Sequence, residues 1–162
     1  MNALFSITSL LMVSGIALAY KSGAPVGVCD SMIPEHGVDP KDTPSPYTIS
    51  VDKTNIKPGG SVTLKITGTK GHKFKGFFVQ ARNSTNHIVN GTFGKVAGAK
   101  VIDCPPGNKN AVTHINPDEK TTISLPWTAP QGYNGPFHFL TTVVKDGEVF
   151  WVHQKSPTVK VQ

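Results

Sequence analysis

The chain has 162 residues, with 16 basic against 10 acidic side chains and a formal charge of +6, a length that accommodates one ordinary domain. Fifteen of the basic residues are lysines and the sole arginine is Arg82. That balance argues against a nucleic-acid surface, which leans on arginine for bidentate phosphate contacts, and for diffuse attraction to anionic surfaces.

Residues 1–19, "MNALFSITSLLMVSGIALA", carry no charged side chain and end in small residues at Ala17-Leu18-Ala19. This is the pattern of a secretory signal peptide cleaved before Tyr20. The apolar run is short for the roughly 30 Å of a bilayer core, and no later stretch reaches that length, so no transmembrane segment is expected. The chain therefore reads as a secreted, extracellular protein whose mature part is one domain, residues 20–162.

Residues 20–46 hold Pro25, Pro34, Pro40, Pro44 and Pro46 and predict an extended N-terminal arm rather than a helix. Within it, "CDSMIPEHG" places Cys29 beside Met32, Glu35 and His36. The second cysteine is Cys104, so in an oxidising compartment a single pairing, Cys29–Cys104, is available. A disulfide removes the thiolate that a metal site in this stretch needs. The arm is then the stapled beginning of the fold, with Met32 and Ile33 packing under it, Pro34 stiffening it and His36-Gly37 turning it onto the sheet.

From Tyr47 the hydrophobic period is two, which is strand patterning. "YTISV" and "SVTLKIT" alternate apolar and polar residues on either side of the turn "NIKPGG". The loop "GTKGHK" precedes "FKGFFVQAR", whose continuous apolar character predicts a central strand covered on both faces. "HIVNGTFGKV", "AKVID", "AVTHI" and "TTISLPW" follow. "FHFLTTVVK" and "EVFWVHQ" flank Asp146-Gly147, a pair that predicts a tight hairpin with both central residues at positive φ. "PTVKV" predicts a final edge strand blunted by Pro157. No stretch has helical spacing with a cap. The sum is an all-β fold, an antiparallel immunoglobulin-like β-sandwich of eight or nine short strands over residues 47–162 with one disulfide.

Two sequons, at Asn83 and Asn90, lie beside turn signals and are candidate N-glycosylation sites. The densest basic stretch, "KITGTKGHKFK", offers Lys65, Lys70, His72, Lys73 and Lys75 as a candidate surface for anionic polymers, against the plainer reading of a solvated hairpin loop. No catalytic residues are assigned: the six histidines, His36, His72, His87, His114, His138 and His153, form no nucleophile elbow or metal-ligand spacing. No metal and no cofactor is expected, although His138 and His153 are placed to meet across a hairpin as a weak copper or zinc pair. The chain does not read as an enzyme.

The motifs "GAPVGVCDSMIPEHG", "SPYTISV", "KPGGSVTLKITG", "FKGFFVQAR", "GTFG", "AVTH", "LPWTAP" and "VFWV", taken in order, resemble the reeler (reelin N-terminal-like) domain in the short secreted form of the insect defense protein family. The resemblance implies an immunoglobulin-like sandwich and an innate-immune role. That role is release into haemolymph, binding of microbial lipopolysaccharide, lipoteichoic acid or β-glucan, and contact with haemocytes. It supplies no ligand signature that maps onto particular residues. Larger reeler proteins join the domain to membrane reductase and adhesion modules, which a chain of this length leaves out. The alternative reading is an extracellular adhesive or matrix protein that binds host glycosaminoglycan or cell-surface partners.

Overall fold

The computed structural model describes residues 22–162; the expected signal peptide and its cleavage point before Tyr20 lie outside the described residues. Among these, eleven strands occur and no α-helix. In chain order they are β1 (Tyr47–Val51), β2 (Asn55–Ile56), β3 (Ser61–Gly68), β4 (Gly76–Asn83), β5 (Thr92–Phe93) and β6 (Ala99–Ile102). They continue with β7 (Ala111–His114), β8 (Thr122–Thr128), β9 (Gly135–Val144), β10 (Phe150–Lys155) and β11 (Val159–Val161). One strand beyond those expected is β2, a two-residue pairing within "NIKPGG", which reads as a turn.

The strands form two sheets. The smaller has the order β1-β3-β8-β5 and the larger β2-β11-β9-β4-β7-β6, with β10 also on β9. Alternation decides what lies between them. β3 and β8 pair so that Val62 meets Trp127, Leu64 meets Leu125 and Ile66 meets Ile123, and these side chains point inward together. From the larger sheet Phe77, Val79 and Ala81 of β4 and Phe137, Phe139 and Val143 of β9 complete this core. Trp127 sits 4.6 Å from Phe137 and 5.6 Å edge-on to Phe139, centroid to centroid, tilted and T-shaped contacts that suit the ring quadrupoles.

β4 is covered on both sides, as its apolar run predicts: all of Gly76–Arg82 is buried. Its outward residue Phe78 joins Val28, Cys29, Met32, Cys104, Ala111 and Leu140 in a second cluster beneath the arm. Cys29 and Cys104 form the disulfide, with Cα atoms 5.6 Å apart. The arm is further tied by the Thr142 hydroxyl, which donates to Met32 O at 2.6 Å, and by Trp151 Nε1, which donates to Thr43 O at 2.9 Å. Met32 is 1% exposed, at a φ of 54°, whereas Ile33 turns outward at 38% exposure. Only the first of the two expected apolar anchors is under the arm.

Two hairpin-level expectations need correction. Asp146 and Gly147 are not among the positive-φ residues. The β9–β10 connection runs from Lys145 to Val149, closed by Lys145 N–H on Val149 O at 2.9 Å, and the Asp146 carboxylate accepts the Glu148 N–H at 3.0 Å. This side-chain turn makes a left-handed two-residue loop unnecessary. The last strand is not an edge: β11 pairs antiparallel with β9 and parallel with β2, which takes the edge instead.

Candidate binding site

The β3–β4 loop carries the candidate basic residues to one end of the sandwich. β3 ends at Gly68, where an added Cβ would lie 1.8 Å from His72 O, so only glycine lets the chain fold back on itself here. The chain then makes a 3-10 turn over Thr69–Gly71 with Lys70 at a φ of 50°. Phe74 plugs into the core with no exposure, and Lys73 and Lys75 on either side are exposed.

His72, Lys73 and Lys75 line one surface depression together with Gly71, Glu119, Lys145 and Asp146. Lys73 Nζ contacts Glu119 Oε2 at 2.8 Å. That hydrogen bond and its charge hold the Glu119 carboxyl below its ordinary range and the Lys73 ammonium above its own. Lys120 ties the β7–β8 connection to the β3–β4 loop: its Nζ donates to Asp118 O at 2.7 Å and to Lys75 O at 3.0 Å. Burial lowers its pKa, partly offset by Asp118.

The structure therefore brings together three of the five residues singled out in sequence. Lys70 stands at the loop tip outside the depression, and Lys65 lies on the smaller sheet, opposite Ser50 and Ser124. Lys145, Lys120, Glu119 and Asp146 were missed because they arrive from the β9–β10 and β7–β8 connections. Their proximity to the β3–β4 loop has no local signal, though Lys145 beside the Asp146-Gly147 turn was a clue that a second basic loop exists.

The remaining candidates separate. Asn83 Oδ1 accepts from Thr85 N–H, Thr85 Oγ1 and His87 N–H in a compact turn after β4. Asn90 is exposed, its Oδ1 accepting from Asn110 Nδ2 at 3.0 Å, while the neighbouring Gly91 is buried. His138 and His153 do not meet. His138 lies opposite Arg82, and the register shift in β10 leaves Gln154 opposite Thr141. His153 turns its Nε2 onto Ser31 O at 2.7 Å. No group of three or more metal-ligating side chains occurs among the described residues.

The sole arginine proves structural. Arg82, 4% exposed, donates to Cys29 O from Nη2 at 2.7 Å, to Asn86 O from Nη1 at 2.7 Å and to Gln80 Oε1 from Nε at 2.9 Å. Gln80 Nε2 donates to Cys29 O at 2.9 Å. The "QAR" of the β4 motif is thus the polar clasp on the disulfide. Gln80 and Arg82 share one face by the period-two rule, and Arg82 supplies the planar fork that one buried acceptor cluster needs.

The chain is an immunoglobulin-like sandwich whose N-terminal arm is stapled and clasped to its larger sheet, with a basic depression at one end. The reeler domain family profile matches residues 27–162, and the chain belongs to that family, in the company of the short insect defense proteins. A relative from Antheraea mylitta that carries a defense-protein name is 43% identical over 153 residues, 93% of each chain. A relative from Danio rerio named for ferric-chelate reductase is 35% identical over 147 residues, but these are 90% of this chain and 26% of that one. The crystal structure of the Reelin-N domain of F-spondin superposes with a TM-score of 0.63 at 20% identity, over 76% of this chain and 91% of that one.

Proposed function

We propose that this protein is a secreted, extracellular defence module that captures anionic polymers of microbial surfaces through the basic end of its sandwich. The observation that carries the reading is the end-to-end likeness to a defense-named protein. The reductase-named relative is matched over a quarter of its length, so its name carries no weight in this reading. The lysine excess and the depression lined by Lys73, Lys75 and Lys145 support the polymer part. Lipopolysaccharide, lipoteichoic acid and β-glucan in haemolymph are the proposed targets; the first two are polyanions, and Coulomb attraction steers them to this end. Because Lys73 is engaged by Glu119, the first contacts fall to Lys70, His72, Lys75 and Lys145.

The test is binding of the purified protein to immobilised lipopolysaccharide, lipoteichoic acid and β-glucan with heparin as competitor, for the native chain and a Lys70→Ala/Lys75→Ala/Lys145→Ala variant. Binding to the two polyanions that drops at least tenfold in the variant supports the reading. A preference for heparin over all three polymers would move the target to host glycosaminoglycan.

A further inference from the structure

Between the arm and the outer face of the larger sheet lies a cavity of about 230 Å³. Its walls are predominantly apolar: Ala24, Pro25, Val28 and Met32 from the arm face Phe78 and Val144 from the sheet. The pocket is partly open to solvent, and its volume exceeds the roughly 150 Å³ that suffices for benzene in an apolar cavity.

The polar groups in the lining are mostly committed. Thr142 donates to Met32 O, Asp146 Oδ1 accepts from Glu148 N–H, and His114 Nδ1 lies 3.3 Å from Phe77 N. His36 stands edge-on to Phe150 at 5.4 Å. Lys75 is the exposed cation of the lining, and with Asp146 it also lines the basic depression, so the cavity adjoins that depression. There three lysines face Asp146 and a Glu119 already bound by Lys73. A second observation is independent of the cavity itself. The large apolar side chains exposed among the described residues are Val26, Ile33, Val38 and Ile115, each within two residues of a cavity-lining position.

We infer that this cavity binds the apolar chain of a single medium-chain fatty acid, with the carboxylate held at Lys75 and the exposed apolar residues flanking the entrance. The volume admits one short chain and not the paired chains of a bilayer lipid. The inference goes beyond polymer capture and does not depend on it.

The experiment is calorimetric titration of the purified protein with decanoate and decanol, and sedimentation with phosphatidylglycerol vesicles, for the native chain, Ala24→Phe and Lys75→Ala. The expected result is saturable one-to-one binding of decanoate. It weakens at least tenfold in Ala24→Phe, which fills the cavity. It weakens severalfold in Lys75→Ala, with decanol binding unchanged. Nuclear Overhauser contacts from the decanoate chain to the Met32 methyl and the Phe78 ring in the native protein keep the test valid if Ala24→Phe fails to fold. Absence of saturable decanoate binding, contacts that avoid Met32 and Phe78, or binding to vesicles without binding to decanoate would overturn the inference. Ala24→Phe retains every lysine, so loss of decanoate with polymer capture intact separates this inference from the function proposed above.

Discussion

Single side chains explain why short motifs of this sequence are specific. An added Cβ at Gly91 would lie 2.1 Å from the Trp127 ring, so Gly91→Ala forces the central indole aside; the expected loss is about 2 kcal/mol, read from chemical denaturation. Arg82 satisfies three acceptors with one planar group, two of them buried, Cys29 O and Gln80 Oε1, which an ammonium does not reproduce. Arg82→Lys is expected to lower stability by about 2 kcal/mol, and a variant as stable as the native chain would show the clasp to be idle. Burial holds the His36 and His138 imidazoles below their ordinary pKa; a hydrogen bond from the His36 imidazole to the Gly147 backbone opposes this at His36, and the Lys155 charge adds to it at His138. Both therefore protonate more readily in the unfolded chain. Their contribution to stability is complete above the ordinary imidazole pKa of about 6.5, declines as pH falls through that value and levels off below the folded pKa. The unfolding midpoint is expected to fall from about pH 7.5 to about pH 5, less steeply in His138→Phe; an identical slope in that variant would remove His138 from the account.

Elements follow local pattern where burial follows local pattern. β1, β3 and β8 alternate in sequence and in the fold because one face of the smaller sheet meets the core and the other meets water. β4 was legible as a doubly covered strand because its apolar run is continuous through Phe77, Phe78 and Val79, so that Phe78 is apolar on the outward face too, while the outward Gln80 and Arg82 mark the clasp. The place of β11 was not legible, since a strand's neighbours are chosen by long-range pairing rather than by its own residues. The β9–β10 turn was misread for a related reason: Asp-Gly favours a left-handed turn, but the Asp146 carboxylate supplies another closure. The arm is the element that depends most on covalent help. The disulfide closes a sequence separation of 75 residues, for which chain entropy gives roughly 4 kcal/mol. A Cys29→Ser/Cys104→Ser variant is expected to lose stability of that order and to expose the arm to proteolysis before the sandwich. Simultaneous cleavage of arm and sandwich would mean that they unfold as one unit.

At the scale of the whole molecule, charge and fold divide the work. The apolar sandwich and the stapled arm form a rigid support, and loops from three separate connections bring lysines to one end of it. The sequence shows the lysine excess plainly, while the partial cancellation by Glu119 and the addition of Lys145 emerge only from the fold. The claim that this end captures polyanionic microbial polymers is tested most directly by whole Gram-negative bacteria as bait. The measurement compares bound protein at low salt and at physiological ionic strength, where attraction between exposed charges is screened over about 8 Å, for the native chain and the Lys70→Ala/Lys75→Ala/Lys145→Ala variant. The account predicts capture that weakens steeply with salt and is at least tenfold lower in the variant. Capture that is indifferent to salt and unchanged in the variant would contradict it.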